Sequence, residues 1–289
     1  MKDVSKSIPN SSSLKQDTNY RLQACIILPT YNEAGNIKKL LDEIFLCEIL
    51  QPYKNNKLSL SILIVDDGSP DGTAEIVKTH TEFNKKVILL ERSKKQGLGS
   101  AYVAGMEYAI NNLKPDVVFE MDADLSHDPK DIFKMLLQIK KGSDFVIGSR
   151  YTLGGSIPKE WGIHRKIISK VANTYARLML GIWSIHDCTG GFRAIRVSSL
   201  EKVNLSSLNV RGYAFQISLL NAMIQNNCSI SEVPISFRDR TEGSSKMRLR
   251  DITEVGTLVL RLGLQKQLTL MDFTKNKNSG PTPQTFTND

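Results

Sequence analysis

Asp122 and Asp124 stand one residue apart at the end of an apolar run, in the stretch FEMDADLSHDP at 119–129. Two carboxylates so close repel each other, and burying either is costly unless something compensates. A divalent cation is the compensation that fits. On a strand, side chains two apart share a face at about 6–7 Å, and where the strand ends both can turn toward one ion. Mg2+ or Mn2+ held by few carboxylates completes its shell with water and substrate phosphates. The pair therefore predicts a metal that bridges to a diphosphate. The plainer alternative is one aspartate capping a turn and the other solvated.

Further polar residues cluster at the ends of other apolar runs. Asp66, Asp67 and Asp71 crowd the turn VDDGSPDGT, where a carboxylate can hold ribose hydroxyls or a base amine. The same spacing suits a tight turn and a helix cap, and both roles are expected together, with Asp71 as cap and Asp67 as ligand. LPTYNE supplies Tyr31, whose ring can lie against a base, and Glu33, which can accept its hydrogen bonds or simply favour a helix N-terminus. A leaving diphosphate also needs cations. Arg150 follows the apolar run DFVIGS, and Arg240 and Lys246 lie in the basic loop RDRTEGSSKMRLR. Gly243, Ser244 and Ser245 would let that loop close over a diphosphate and exclude water, unless it is merely a solvated basic loop. Arg165 and Lys166 open a helical stretch and could receive a second phosphate or lie on an ordinary surface face.

The elements that must position these groups alternate between strand and helix. ACIILP, LSLSILIV, VILLE, DVVFEM and DFVIGS read as short buried strands. Between them NIKKLLDEIF, AEIVKTHTEF and GLGSAYVAGMEYAIN read as helices, and another is expected from near Pro129 with Asp128 as its cap. Runs apolar on both faces argue for an α/β fold, a single Rossmann-like domain whose mostly parallel sheet is flanked by helices. Ligands of such sheets bind at the carboxyl ends of the strands, where TYNE, DDGSPDGT, DADLSH and GSRY all fall. Past Arg150 the sequence predicts a long helix in WGIHRKIISKVANTYARLML, a turn and strand in DCTGGFRAIR, a helix in GYAFQISLLNAMI and a strand in CSISEVPISF. A C-terminal amphipathic helix is expected over 249–264, resting on a membrane, a partner or this chain's own core. Residues 1–20 and 266–289 read as flexible arms around a catalytic domain at 21–265.

Composition narrows the function. Among 289 residues, 38 Lys and Arg outnumber 30 Asp and Glu, a net charge of +8 that suits phosphates or a membrane surface, or solubility alone. Cys25, Cys47, Cys188 and Cys228 form no CxxC pair, so neither a zinc site nor a disulfide framework is expected, and a reducing compartment fits. The four histidines form no recognisable ligand set. No GxxxxGK[ST] and no GxGxxG after the first strand occur, which disfavours P-loop nucleotidases and dinucleotide oxidoreductases. No apolar stretch reaches the ~18 residues of a membrane span, and the polar N-terminus carries no secretory signal. The expectation is a soluble or peripheral protein.

As a set, LPTYNE, VDDGSPDGT, DADLSH, GSRY, HRKIIS, CTGGFR, GYAFQ and EVPISFRDRTEGSSK resemble the catalytic subunits of dolichol-phosphate mannosyltransferases. These are inverting family-two glycosyltransferases with the A-type nucleotide-sugar fold. The resemblance spans about residues 22 to 265. It implies mannosyl transfer from GDP-mannose to dolichyl phosphate, with Mg2+ or Mn2+ as cofactor and no nucleic acid as partner. It also implies a place on the cytosolic face of the endoplasmic reticulum membrane, held there by small membrane-anchoring partner subunits. Residue by residue, it implies that Pro29, Tyr31, Glu33, Val65 and Asp67 contact the guanosine, and that Asp122 and Asp124 bind the metal with the Ala123 backbone nearby. Arg150, Arg240 and Lys246 would hold the diphosphate, and Arg165 and Ser169 the acceptor phosphate. Ser126 stands where some relatives carry a Gln beside the metal. The rival expectations are a uridine-donor glucosyltransferase acting on a polyprenyl phosphate, and a non-catalytic nucleotide-sugar-binding scaffold.

Overall fold

The computed structural model describes residues 21–50, 58–208, 212–239 and 253–266. Its centre is a sheet of seven strands: β1 (Leu22–Thr30), β2 (Leu58–Asp66), β3 (Val87–Glu91), β4 (Val117–Glu120), β5 (Phe145–Ser149), β6 (Arg193–Arg196) and β7 (Ile230–Pro234). Their order is β3-β2-β1-β4-β6-β5-β7. The five expected N-terminal strands are all present, and all run parallel. β6 is the exception: it inserts between β4 and β5 and runs antiparallel to both, placing Glu120 opposite Arg193 and Ile147 opposite the same arginine.

The strands are apolar on both faces because both faces are covered. Ile26, Leu28, Ile62 and Ile64 pack with Ile37, Leu40 and Leu41 of α1 (Ile37–Leu50). The alternate residues Cys25, Ile27, Leu63 and Val65 pack on the other face with Ala101, Tyr102 and Met106 of α3 (Leu98–Tyr108). α2 (Thr73–Lys78) follows the aspartate-rich turn, and α4 (Asp131–Lys140) follows the Asp122–Asp124 loop. Asp128 accepts from the Lys130 N–H at 3.0 Å and closes the turn before α4, but the helix begins at Asp131 with Lys130, not Asp128, at its N-cap. α3 lies unusually close to the sheet. A Cβ on Gly105 would come within 2.6 Å of Ile27 Cγ2 and 3.1 Å of Val65 Cγ2.

The second half supplies α5 (Ile163–Leu180), α6 (Val197–Leu200) and α7 (Gly212–Gln225). α5 buries little of itself, with only Asn173, Ala176 and Leu180 buried. Asn173 ties the helix to the turn before β6, accepting from Cys188 N–H at 2.7 Å and donating to Thr189 Oγ1 at 3.2 Å. The C-terminal helix is described over 253–266. It packs on its own chain: Val259 is fully buried, Tyr175 donates to the Gly256 carbonyl at 3.3 Å, and Lys266 donates to the Leu180 carbonyl at 2.5 Å. Its opposite side leaves Leu260 and Leu264 exposed. Residues 249–252 of that expected helix, the arms at 1–20 and 267–289, and the basic loop with Arg240 and Lys246 lie outside the described residues.

Candidate active site

The carboxyl ends of β1, β2, β4 and β5 share one edge of the sheet, and a cavity of about 590 Å³ opens there. Pro29, Tyr31, Glu33 and Asp67 line its β1–β2 end. The Asp67 carboxylate accepts the Arg92 guanidinium and the backbone N–H groups of Gln96 and Gly97, both at 3.0 Å. It therefore fixes the loop after β3, and Lys95 of that loop lies 3.6 Å above the centre of the Tyr31 ring. Asp71 accepts from Ala34 N–H at 2.9 Å and from Thr73 Oγ1 and N–H at 2.6 and 3.1 Å. Burial opposes its ionisation, but these hydrogen bonds outweigh it and hold the carboxyl below the ordinary range. Asp71 thus ties the loop after β1 to the first residue of α2, but the N-cap position expected of it is held by Gly72, without a side-chain cap hydrogen bond. Val65 requires a correction: its side chain is fully buried under α3 and does not line the cavity, because alternation along β2 turns it to the core. Any contact from Val65 to a nucleotide is left to its backbone.

Asp122, Ala123 and Asp124 line the middle of the cavity, on the loop after β4. Asp124 is buried and accepts Ser126 N–H at 3.1 Å. Asp122 accepts the Tyr102 hydroxyl at 3.3 Å, and its own N–H donates to His127 Nδ1 at 3.2 Å. The loop turns this tightly because Leu125 adopts φ 64°, a left-handed conformation costing a leucine about 1 kcal/mol or more. His127 is stacked 4.9 Å from the Phe192 ring, and burial pushes its pKa down despite the nearby aspartates. The donor set suits a hard divalent ion in that two carboxylates face one cavity, although among the described residues no group of three or more His, Cys, Asp and Glu is arranged to hold a metal. Water and phosphate oxygens would complete the shell. The Ser126 hydroxyl is buried without a hydrogen-bond partner, yet Ser126 is absent from the cavity wall and adds no ligand there.

Arg150, Arg165 and Ser169 line the third part of the cavity. Arg150 is more committed than its sequence position suggests. Its Nε and Nη2 donate to both oxygens of buried Asp187 at 2.7 Å, and Nη2 also reaches Thr189 Oγ1 at 2.9 Å. Burial raises the cost of ionising Asp187, but the Arg150 charge and its hydrogen bonds outweigh this and lower the pKa. Much of the positive charge of Arg150 is therefore matched within the fold. Arg165 and Ser169 sit one turn apart on α5 and so face the same side. The Arg165 guanidinium lies 3.8 Å above the Trp161 ring and 3.8 Å from Asp239, and Ser169 Oγ accepts the Tyr151 hydroxyl at 2.6 Å. Beyond them the cavity becomes apolar, running between α5 and the C-terminal helix past Ile168, Val171, Ala172, Tyr175 and Val255.

Sequence reasoning missed Lys95, Tyr102 and Trp161. The run RSKKQG carried a signal for Lys95, since a basic stretch follows a strand at the same edge, but Tyr102 looked like one more apolar position of a helix.

Comparison with known proteins follows this geometry. The family model described as glycosyl transferase family 2 matches residues 25–203. The polyprenol monophosphomannose synthase of Mycolicibacterium smegmatis is 39% identical over 245 residues, covering 84% of this chain and 88% of that protein. The undecaprenyl-phosphate mannosyltransferase of Micrococcus luteus is 35% identical over 243 residues, covering 84% and 95%. Among solved structures, a glucosyl-3-phosphoglycerate synthase from Mycobacterium tuberculosis, in complex with Mn2+, UDP-glucose and phosphoglyceric acid, superposes with a TM-score of 0.58 at 17% identity, covering 84% of this chain and 80% of that one. The mannosyl-3-phosphoglycerate synthase from Rubrobacter xylanophilus also gives 0.58 at 17%, covering 92% and 79%. At such identity these two speak for the fold alone. The match over 25–203 and the two mannosyltransferase relatives make the chain a member of glycosyl transferase family 2 and a glycosyltransferase.

Proposed function

We propose that this chain transfers mannose from GDP-mannose to a polyprenyl phosphate, dolichyl phosphate being one member of that class. The observation that carries the reading is the makeup of the cavity. It begins at residues suited to a nucleotide, passes the paired aspartates, reaches Arg165 and Ser169, and ends in an apolar arm. A sugar nucleotide at one end and a lipid phosphate at the other would meet beside Asp122 and Asp124. The mannosyl and polyprenyl specificity of the two relatives supports this assignment.

In this reading Asp122 and Asp124 hold the divalent ion, Mg2+ or Mn2+. When bound, that ion supplies charge to stabilise the departing diphosphate. Glu33 and Tyr31 hold the base, and Arg165 and Ser169 orient the acceptor phosphate against the sugar. A phosphate monoester has a second pKa of about 6, as in phosphoserine, so near neutrality the acceptor is already a dianion and needs no protein base. His127 agrees with this, since its Nδ1 accepts from the Asp122 N–H and its burial keeps it neutral. The protein aligns two reactants and shields the site. One in-line displacement at the anomeric carbon gives inversion and a β-linked product.

The chain would work at a membrane surface. Ile163, Ile167, Val171 and Leu178 are exposed along α5, the first three at helical spacing, and Arg165, Lys166 and Lys170 lie among them. An anionic bilayer suits both features, and the apolar arm of the cavity opens along the same helix. Vesicle binding by the isolated chain tells whether this face suffices or small membrane partner subunits are needed.

A product assay tests the function. The chain is incubated with GDP-mannose, a polyprenyl phosphate and Mn2+ or Mg2+, and the lipid product is analysed for its anomeric configuration. A β-mannosyl phosphate lipid is expected. An α-linked product overturns the single displacement, and tighter binding of UDP than GDP favours a uridine donor.

A further inference from the structure

Tyr102 is the candidate that the mechanism leaves unused. It lies on α3, fully buried, and its ring stacks on Phe215 of α7 with centroids 5.9 Å apart and an angle of 11°. Nothing in its helical position requires a hydroxyl, because its neighbours Ala101 and Met106 fill the same core with apolar groups. Yet the hydroxyl donates to Asp122 Oδ1 at 3.3 Å. A buried phenol without an acceptor would lose solvation for no return, so the carboxylate and the hydroxyl satisfy each other.

We propose that Tyr102 is a positioning residue for Asp122: its hydroxyl orients the carboxylate toward the cavity so that the carboxylate can take a divalent ion. The inference rests on the metal role given to Asp122 under the proposed function. The Asp122 carboxylate follows a strand end, where contacts to both its backbone and its side chain set its orientation. Two contacts restrain it here: the His127 ring holds the Asp122 backbone from one side, and Tyr102 holds Oδ1 from the other. The stack on Phe215 in turn fixes the Tyr102 ring, so α7 acts on the acidic loop through Tyr102. Partners that orient a metal ligand in this way typically change metal affinity by about 10- to 100-fold when removed.

The test measures Mn2+ binding to the full chain by electron paramagnetic resonance in the presence of GDP, alongside GDP affinity in EDTA. Tyr102→Phe keeps the ring and its stack and removes only the donor. The expected result is Mn2+ affinity lowered roughly 10-fold or more, with metal-free GDP affinity and the circular dichroism spectrum unchanged. A second variant carries 3-fluorotyrosine at 102, which keeps both ring and donor, and should retain wild-type Mn2+ affinity. Unchanged Mn2+ affinity in Tyr102→Phe overturns the proposal. So does an equal loss of metal-free GDP affinity, or a loss of Mn2+ affinity in the fluorinated protein, since either points to packing instead of the hydroxyl. If the wild-type chain with GDP binds no Mn2+, the metal reading of Asp122 falls and takes this inference with it.

Discussion

Arg150 shows how far a residue's role depends on what it meets in three dimensions. Its place after β5 suggested a cation waiting for a diphosphate, but Asp187, 37 positions later, takes two of its guanidinium nitrogens and its backbone N–H. Replacing Asp187 by Asn leaves a buried guanidinium without its anion, which should cost about 3 kcal/mol in urea unfolding at pH 7. The sign of the pH dependence follows from the lowered pKa of Asp187. Its ionised form stabilises the fold above the ordinary aspartate value of about 3.9, and this contribution is lost as pH falls through the folded value. The gap between wild type and Asp187→Asn should therefore narrow in acid, and a gap constant from pH 7 to pH 3 would contradict the pairing. Asp124→Asn should behave differently, lowering metal-dependent turnover roughly 100-fold while the far-ultraviolet spectrum stays native. The place of the acidic pair, Tyr31, Glu33 and Arg165 at the cavity was legible because each is a polar residue beside an apolar run or at a helix start, whereas Ser169 was expected only from the family resemblance. The Arg150–Asp187 pair was not, since neither local pattern nor spacing announces a partner brought in by a later strand. Val65 misled in the opposite way, for a residue adjoining the site in sequence can face the core.

At the level of elements, hydrophobic runs recovered every strand of the first half, and VILLE at 87–91 coincides with β3. Short parallel strands buried on both faces leave little room for ambiguity. The helix of AEIVKTHTEF is shorter than its pattern, ending at Lys78, as the Thr79 hydroxyl turns back to the Ile76 carbonyl at 2.7 Å. The antiparallel direction of β6 was not legible, because strand direction depends on long-range pairing and leaves no mark on a four-residue run. The contact of α3 with the sheet was foreshadowed only by a glycine at 105. Gly105→Val would push branched carbons into Ile27 and Val65, and should destabilise the fold by about 2 kcal/mol by overpacking, as read by the midpoint of chemical unfolding.

For the molecule as a whole, the proposed function would require a nucleotide site to meet a lipid acceptor. Among the described residues no helix is long and apolar enough to cross a membrane. The exposed apolar residues of α5 adjoin the apolar arm of the cavity, which under the proposed function would make this helix both wall and landing face. Ile163 and Leu178 are exposed and line no part of the cavity. The paired change Ile163→Glu and Leu178→Glu should lower co-sedimentation with anionic phospholipid vesicles roughly ten-fold and leave GDP affinity intact. Equal vesicle binding by the pair would move the landing face elsewhere. The net charge of +8 suits an anionic surface, and α5, which buries few of its residues, is the face proposed for it.

The insertion of β6 has a consequence for how the molecule is made. β5 hydrogen-bonds to β6 and β7 but not to β4, so it has no ladder partner among the strands that precede it. A ribosome that has released the chain through Arg150 has delivered Asp122 and Asp124 but none of the strands that will seat β5. Only when the stretch to Arg196 emerges can β5 dock, and the same arrival brings Asp187 to Arg150. The catalytic edge is thus completed by its latest-made wall, and a nascent fragment stopped short of that wall would expose the flank of β4 to any passing strand.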